Sequence, residues 1–205
     1  RPSVTGLKAG GADNVESRVR RPTLIDEPST TLVQKTPAVT MSVPQMLQGL
    51  EKTTPMPLMR TLKQVRLLLS GKYDTDITTF LEAGIAPLLS VNLECTQRLP
   101  GDAKYRTPLI DSLYCIHYML EYAFGQVITT TNFALILSEN LKFQSSAIQQ
   151  LALERLVQVA EYSTAGHRMA LEVLSTYEQK YSSKGRFSVL FDMVVADNSS
   201  GSLKI

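Results

Sequence analysis

The sequence predicts an all-α fold, and three observations carry the prediction. Strand-like alternation is nearly absent; Val127-Ile128-Thr129-Thr130-Thr131 is the one β-branched run, and it is short. Prolines 44, 55, 57, 87 and 108 all stand where a helix would begin, and proline is favoured in a first helical turn. Two of these stretches also repeat each other. Pro57-Leu58-Met59-Arg60-Thr61-Leu62-Lys63-Gln64-Val65-Arg66-Leu67-Leu68-Leu69 aligns without gaps on Pro108-Leu109-Ile110-Asp111-Ser112-Leu113-Tyr114-Cys115-Ile116-His117-Tyr118-Met119-Leu120, at an offset of 51 residues.

Taken in order, residues 1–41 come first and read as a mostly disordered or extended segment. They are rich in Gly, Pro, Ser and Thr, and the first aromatic side chain of the chain is Tyr73. So little apolar surface does not offset the entropy of ordering a chain. A helical body follows over 42–197, with a flexible tail at 198–205. Its helices are expected near 44–52, 57–70, 76–83, 85–95, 108–122, 133–141, 146–163, 167–183 and 187–196. In the repeated pair, positions 58, 62, 65, 69 and 109, 113, 116, 120 share a 4-3-4 spacing, one face of an α-helix. A looser third copy spans Ala147 to Ser163, with Ala152, Leu156 and Val159 on its inner face. Similar helices recurring every 40–50 residues predict a right-handed solenoid of the armadillo or HEAT type, each unit covering its neighbour's apolar face.

Charge and composition narrow the function. The 205 residues carry a net charge of only +2, all of it within 1–41, where six basic residues meet four acidic ones. A nucleic-acid partner of the basic-patch type is not expected. No apolar run approaches the ~18–20 residues that a membrane span needs. Cys95 and Cys115 form neither a CxxC pair nor a disulfide framework, which suits a reducing, cytoplasmic compartment and small core thiols. Both histidines read as isolated: His117 lies on the helix 108–122, and His167 opens the helix after Gly166. No phosphate loop, metal-ligand spacing or nucleophile–base pair is visible, so neither a catalytic residue, a cofactor nor a metal is expected. Two surface features remain. Arg60, Lys63 and Arg66 make a basic edge ending at Lys72, and Gln150, Glu154, Gln158 and Glu161 make a polar stripe on the helix 146–163.

Several segments resemble a known family. Phe80-Leu81-Glu82-Ala83-Gly84-Ile85-Ala86-Pro87-Leu88-Leu89 is similar to the armadillo turn, in which "EAG" closes one helix and a leucine pair packs the next. Gly166-His167-Arg168-Met169-Ala170-Leu171-Glu172-Val173-Leu174 and then Arg186-Phe187-Ser188-Val189-Leu190 resemble the "GH..VLEAL" and "RF..L" stretches of the formin regulatory region. Pro44 to Leu50 and Leu62 to Leu89 fit the start of the same region. Residues 43–196 therefore resemble the GTPase-binding and formin homology three region of Diaphanous-like formins, which are actin-assembly factors.

The resemblance implies regulation rather than catalysis. It implies a cytoplasmic, cytoskeleton-associated domain that binds a Rho-family GTPase, while actin is bound by other regions of the full-length protein. Ser70, Gly71 and Lys72 fall where the family contacts the GTPase, and Arg66 of the basic edge is expected at the same docking surface. His117, Glu121, Glu154, Gln158 and Glu161 fall in the concave groove that holds the formin's own C-terminal helix. Gln158 and Glu161 replace a small and an aliphatic residue there, so the leucine-rich tail is expected to bind weakly or not at all. The competing expectation is an armadillo adaptor that takes a peptide or protein partner in the same groove.

Overall fold

The structure, a computed structural model, describes residues 39–71, 74–143 and 146–181. The expectations for residues 1–38, for Lys72, for the helix at 187–196 and for the tail at 198–205 fall outside the described residues. Among those described there are seven α-helices and no strand: α1 Val43–Leu50, α2 Pro55–Leu69, α3 Asp74–Arg98, α4 Arg106–Thr129, α5 Phe133–Leu141, α6 Ser146–Tyr162 and α7 Thr164–Tyr181. A single 3₁₀ turn, Ala103–Tyr105, leads into α4.

The helices pack in two rows. One row runs α2, α4, α6, each against the next; the other runs α1, α3, α5, α7. Between the rows α1 meets α2, α3 meets α4, and α6 is held by both α5 and α7. This arrangement is consistent with a helical repeat. The 4-3-4 positions of α2 and α4 (Leu58, Leu62, Val65, Leu69 and Leu109, Leu113, Ile116, Leu120) are all buried, and so are Ala152, Leu156 and Val159 of α6. Residues three and four apart share a helix face, and these faces join one hydrophobic core.

The helix ends follow local chemistry. Ser42 precedes α1, and its backbone N–H donates to Gln45 Oε1 at 2.9 Å, one half of a capping box. Ser163 stands alone between α6 and α7, where its hydroxyl accepts from Gly166 N at 3.1 Å as an N-cap. At Gly166 a β-carbon would lie 2.0 Å from the Val159 carbonyl oxygen and 2.8 Å from the Phe124 ring. Only glycine permits that closeness between the starts of α7 and the end of α6.

Three boundaries depart from the sequence reading. The helices expected at 76–83 and 85–95 are one 25-residue helix, α3, with Pro87 in its interior. The "EAG" segment does not close a helix here. The apolar stripe Ile77, Phe80, Leu88, Val91, Cys95 runs on without interruption, and the Phe80 ring lies against Gly84. Pro87 deprives the Ala83 carbonyl of its intrahelical donor, and Ala83 is exposed, so water can supply one. Second, α4 continues past 122 to Thr129 and absorbs part of the β-branched run, with non-helical backbone at Ala123 (φ −138°, ψ 39°). Third, α7 begins at Thr164, so Gly166 and His167 lie within its first turn instead of opening it.

Candidate functional site: the outer face of the α2–α4–α6 row

On α4, the residues opposite the buried stripe are Ile110, Tyr114, His117, Tyr118 and Glu121, which are half-buried or exposed. This outer stripe is where α2 and α6 exchange polar contacts with α4. Toward α2, Arg66 lies with its guanidinium 4.0 Å from the centroid of the Tyr114 ring and 3.5 Å from Asp111 Oδ1. Asp111 is buried, and burial raises its carboxyl above the ordinary aspartate range despite the opposing charges of Arg66 and Lys63. Its second oxygen, Oδ2, has no hydrogen-bond partner among the described residues.

Toward α6, His117 and Gln158 bond reciprocally. His117 Nδ1 is 3.0 Å from Gln158 Oε1, and Gln158 Nε2 donates to the His117 carbonyl at 3.2 Å. On the other side of the ring, His117 Nε2 is 3.2 Å from Glu121 Oε1. With Nδ1–H donating to Gln158, Nε2 is left to face Glu121. His117 is therefore not isolated, as its sequence neighbourhood suggested.

Arg155 lies beneath this face. It is only 7% exposed, and one nitrogen reaches Glu154 Oε2 at 3.1 Å. Its Nε and Nη1 have no partner among the described residues, and burial lowers its pKa against the opposing influence of Glu154, Tyr114 and Glu121.

The positions singled out in the sequence thus divide. His117, Glu121 and Gln158 come together as one cluster. Glu154 pairs with Arg155 and accepts from Gln150 Nε2 at 3.2 Å, while Glu161 is exposed on the same helix and outside the cluster. The polar stripe of α6 is therefore not a uniform solvated edge, because Gln158 is spent inside the protein. Arg66 is likewise engaged by α4. Ser70 ends α2 with its hydroxyl donating to the Leu67 carbonyl at 3.3 Å, and Gly71 N donates to the Leu68 carbonyl at 3.1 Å. Lys72 lies outside the described residues.

Sequence reasoning missed Asp111, Tyr114 and Arg155. A signal for Arg155 existed: it falls on the inner stripe Ile148, Leu151, Ala152, Leu156, Val159, where a charge is out of place. Tyr114 and Tyr118 stand four apart on the outer stripe of α4, a spacing that also marks a shared face.

Of the two thiols, Cys95 is pushed up to about 12 by burial, with Glu94 adding to the shift, and Cys115 is raised further by burial. Both are protonated core groups, and Cys115 Sγ points at the Leu62 carbonyl across the α2–α4 contact, 3.7 Å away. No group of three or more His, Cys, Asp or Glu side chains capable of holding a metal occurs among the described residues. No helix among them is long and apolar enough to cross a membrane. In comparisons with known proteins, no family model matches the chain, and no curated protein or solved structure is significantly similar to it.

Proposed function

We propose that this is a regulatory, non-catalytic docking domain of a formin-type actin-assembly factor. In this reading the two rows continue as a right-handed, armadillo-like solenoid, and the outer face of α2–α4–α6 receives a Rho-family GTPase. The domain would act in the cytoplasm at the cytoskeleton, with actin bound elsewhere in the full-length protein. The segments that resemble the formin region support the family. One structural observation supports docking: the face is contiguous and its charge is graded. Arg60 and Lys63 are exposed on α2, and Glu121, Glu154 and Glu161 are exposed on α4 and α6. A partner with a matching gradient is steered into one orientation.

Arg66 is a poor reporter of that contact, because reversing it also breaks its pairing with Asp111 and Tyr114. The informative variant is Arg60→Glu/Lys63→Glu. Binding to a GTP-loaded Rho protein that exceeds binding to its GDP form, and that weakens at least about fivefold in this variant, is the expected result. Equal affinity for the two nucleotide states would remove the GTPase reading.

A second reading, an adaptor taking a peptide on the same face, is favoured by one observation. Arg66, Ser70 and Gly71 are already engaged with their own chain. In either reading a leucine-rich autoinhibitory helix is a poor guest. It would lay leucines against the polar side chains of Glu121, Glu154 and Glu161, which are exposed on this face.

A further inference from the structure

Beside the break at Ala123 lies a slot of about 450 Å³ between the start of α3, the bend of α4 and the end of α6. Leu81, Glu82, Tyr122, Ala123, Phe124 and Tyr162 line it. The bend separates two neighbouring rings: Tyr122 is 50% exposed, whereas Phe124 is buried. Phe124 is fixed from below by the close approach of Gly166 and from above by Tyr162, which stacks on it with centroids 3.8 Å apart and planes at 11°. Tyr162 nevertheless remains 59% exposed, so the stack presents a free aromatic surface to solvent. Large exposed rings held rigidly in this way are the material of binding hot spots.

Of the residues that line the slot, Glu82 alone carries a charge. Glu82 is exposed in the lining, with no ion pair among the described residues, and no lysine or arginine lines the slot. An aromatic surface with a carboxylate at its edge attracts a flat, weakly hydrated cation. The ring quadrupole draws the charge, the plane stacks, and the carboxylate accepts hydrogen bonds.

We propose that this slot receives an arginine side chain of a partner protein, stacked on Tyr162 and paired with Glu82. The guanidinium extends the Phe124–Tyr162 stack by one layer, and Leu81 and Ala123 cover its aliphatic stem. This slot does not depend on the GTPase reading, because none of its lining residues is among the charged residues that carry that reading.

The test is an NMR titration of the whole chain with the acetylated, amidated tripeptide Leu-Arg-Ala, and with its citrulline counterpart, which keeps the shape and loses the charge. Saturable shifts of the Tyr122, Phe124 and Tyr162 rings are expected with the arginine peptide, together with at least about fivefold weaker binding of the citrulline form. Glu82→Gln should weaken the arginine peptide about threefold and remove most of its salt sensitivity. Tyr162→Leu, which keeps an apolar cover over Phe124, should weaken it about fivefold. Absence of saturation, equal binding of citrulline, or shifts centred elsewhere would each overturn the proposal. Should Tyr162→Leu alter the fold, the exposed Glu82→Gln and the citrulline comparison decide the matter without it.

Discussion

Two sets of buried polar groups in this molecule have opposite fates. Between the rows, Asn92 of α3, Ser112 of α4 and Asn140 of α5 form a closed cluster. Asn140 Nδ2 donates to Asn92 Oδ1 and to the Ile136 carbonyl, both at 2.7 Å; Asn92 Nδ2 donates to Ser112 Oγ at 2.9 Å, and Ser112 in turn to the Leu109 carbonyl at 2.7 Å. The Thr96 hydroxyl lies within reach of both the Asn92 carbonyl and Asn140 Oδ1. Under the outer face of α2–α4–α6, by contrast, Asp111 keeps one oxygen and Arg155 two nitrogens without partners among the described residues. The difference is one of surroundings. The cluster is enclosed by three helices that each bring a complementary group, whereas Asp111 and Arg155 have too few polar neighbours to satisfy all their atoms. A closed network fixes the register of the helices it joins; an open one costs stability.

Breaking the closed cluster should have the largest effect. Asn140→Ala removes the donor that joins α5 to α3, strands Asn92 Oδ1 and leaves a small void, so a loss of about 3 kcal/mol is expected. A urea unfolding curve measures it, and a loss below about 1 kcal/mol would show that the cluster does not hold α5 to α3.

Glu139 sharpens the comparison, being a buried charge that is fully attended. It accepts from Lys142 Nζ at 2.7 Å, from Lys180 Nζ at 3.1 Å and from the Tyr181 hydroxyl, tying α5 to α7. Burial raises its carboxyl, but these donors overcome that and hold it below its ordinary value. A depressed acid stabilises the fold above its unfolded pKa and loses that contribution as pH falls through its folded one. Glu139→Gln should therefore cost about 2 kcal/mol near neutrality. The gap between variant and wild type should close in acid, and a gap that stays constant with pH would show the charge to be idle.

At the open site the expected sign reverses. Arg155→Met keeps the stem's volume and discards an incompletely paired guanidinium, so stability should hold or rise by about 1 kcal/mol. A thermal midpoint lowered by several degrees would mean that Arg155 is better satisfied than its geometry indicates. The smallest effect belongs to Asp111→Asn, within about 0.5 kcal/mol at neutral pH. Because burial raises the Asp111 carboxyl, wild type loses its advantage as pH rises from the unfolded toward the folded pKa. The variant should lack that step, and parallel pH–stability curves for the two proteins would argue against it.

The sequence by itself determined that the chain is helical and which residues fill its core. Leu62, Val65, Leu69, Leu113, Ile116, Leu120, Leu156 and Val159 are buried as their spacing requires, because the 3.6-residue turn is a local property written in each segment. The gapless repeat likewise marked α2 and α4, which pack side by side. Only the tertiary structure decided where helices run on and which side chains meet. Pro87 and Gly84 look like punctuation, yet α3 continues through them because its buried stripe is unbroken and the freed Ala83 carbonyl faces water. His117 finds Gln158 across 41 residues, Asn140 finds Asn92 across 48, and Arg66 turns from a predicted partner surface to Asp111 across 45. Such pairings depend on the separation and register of whole helices. A period counted along one helix carries no information about the rise and rotation of the helix beside it.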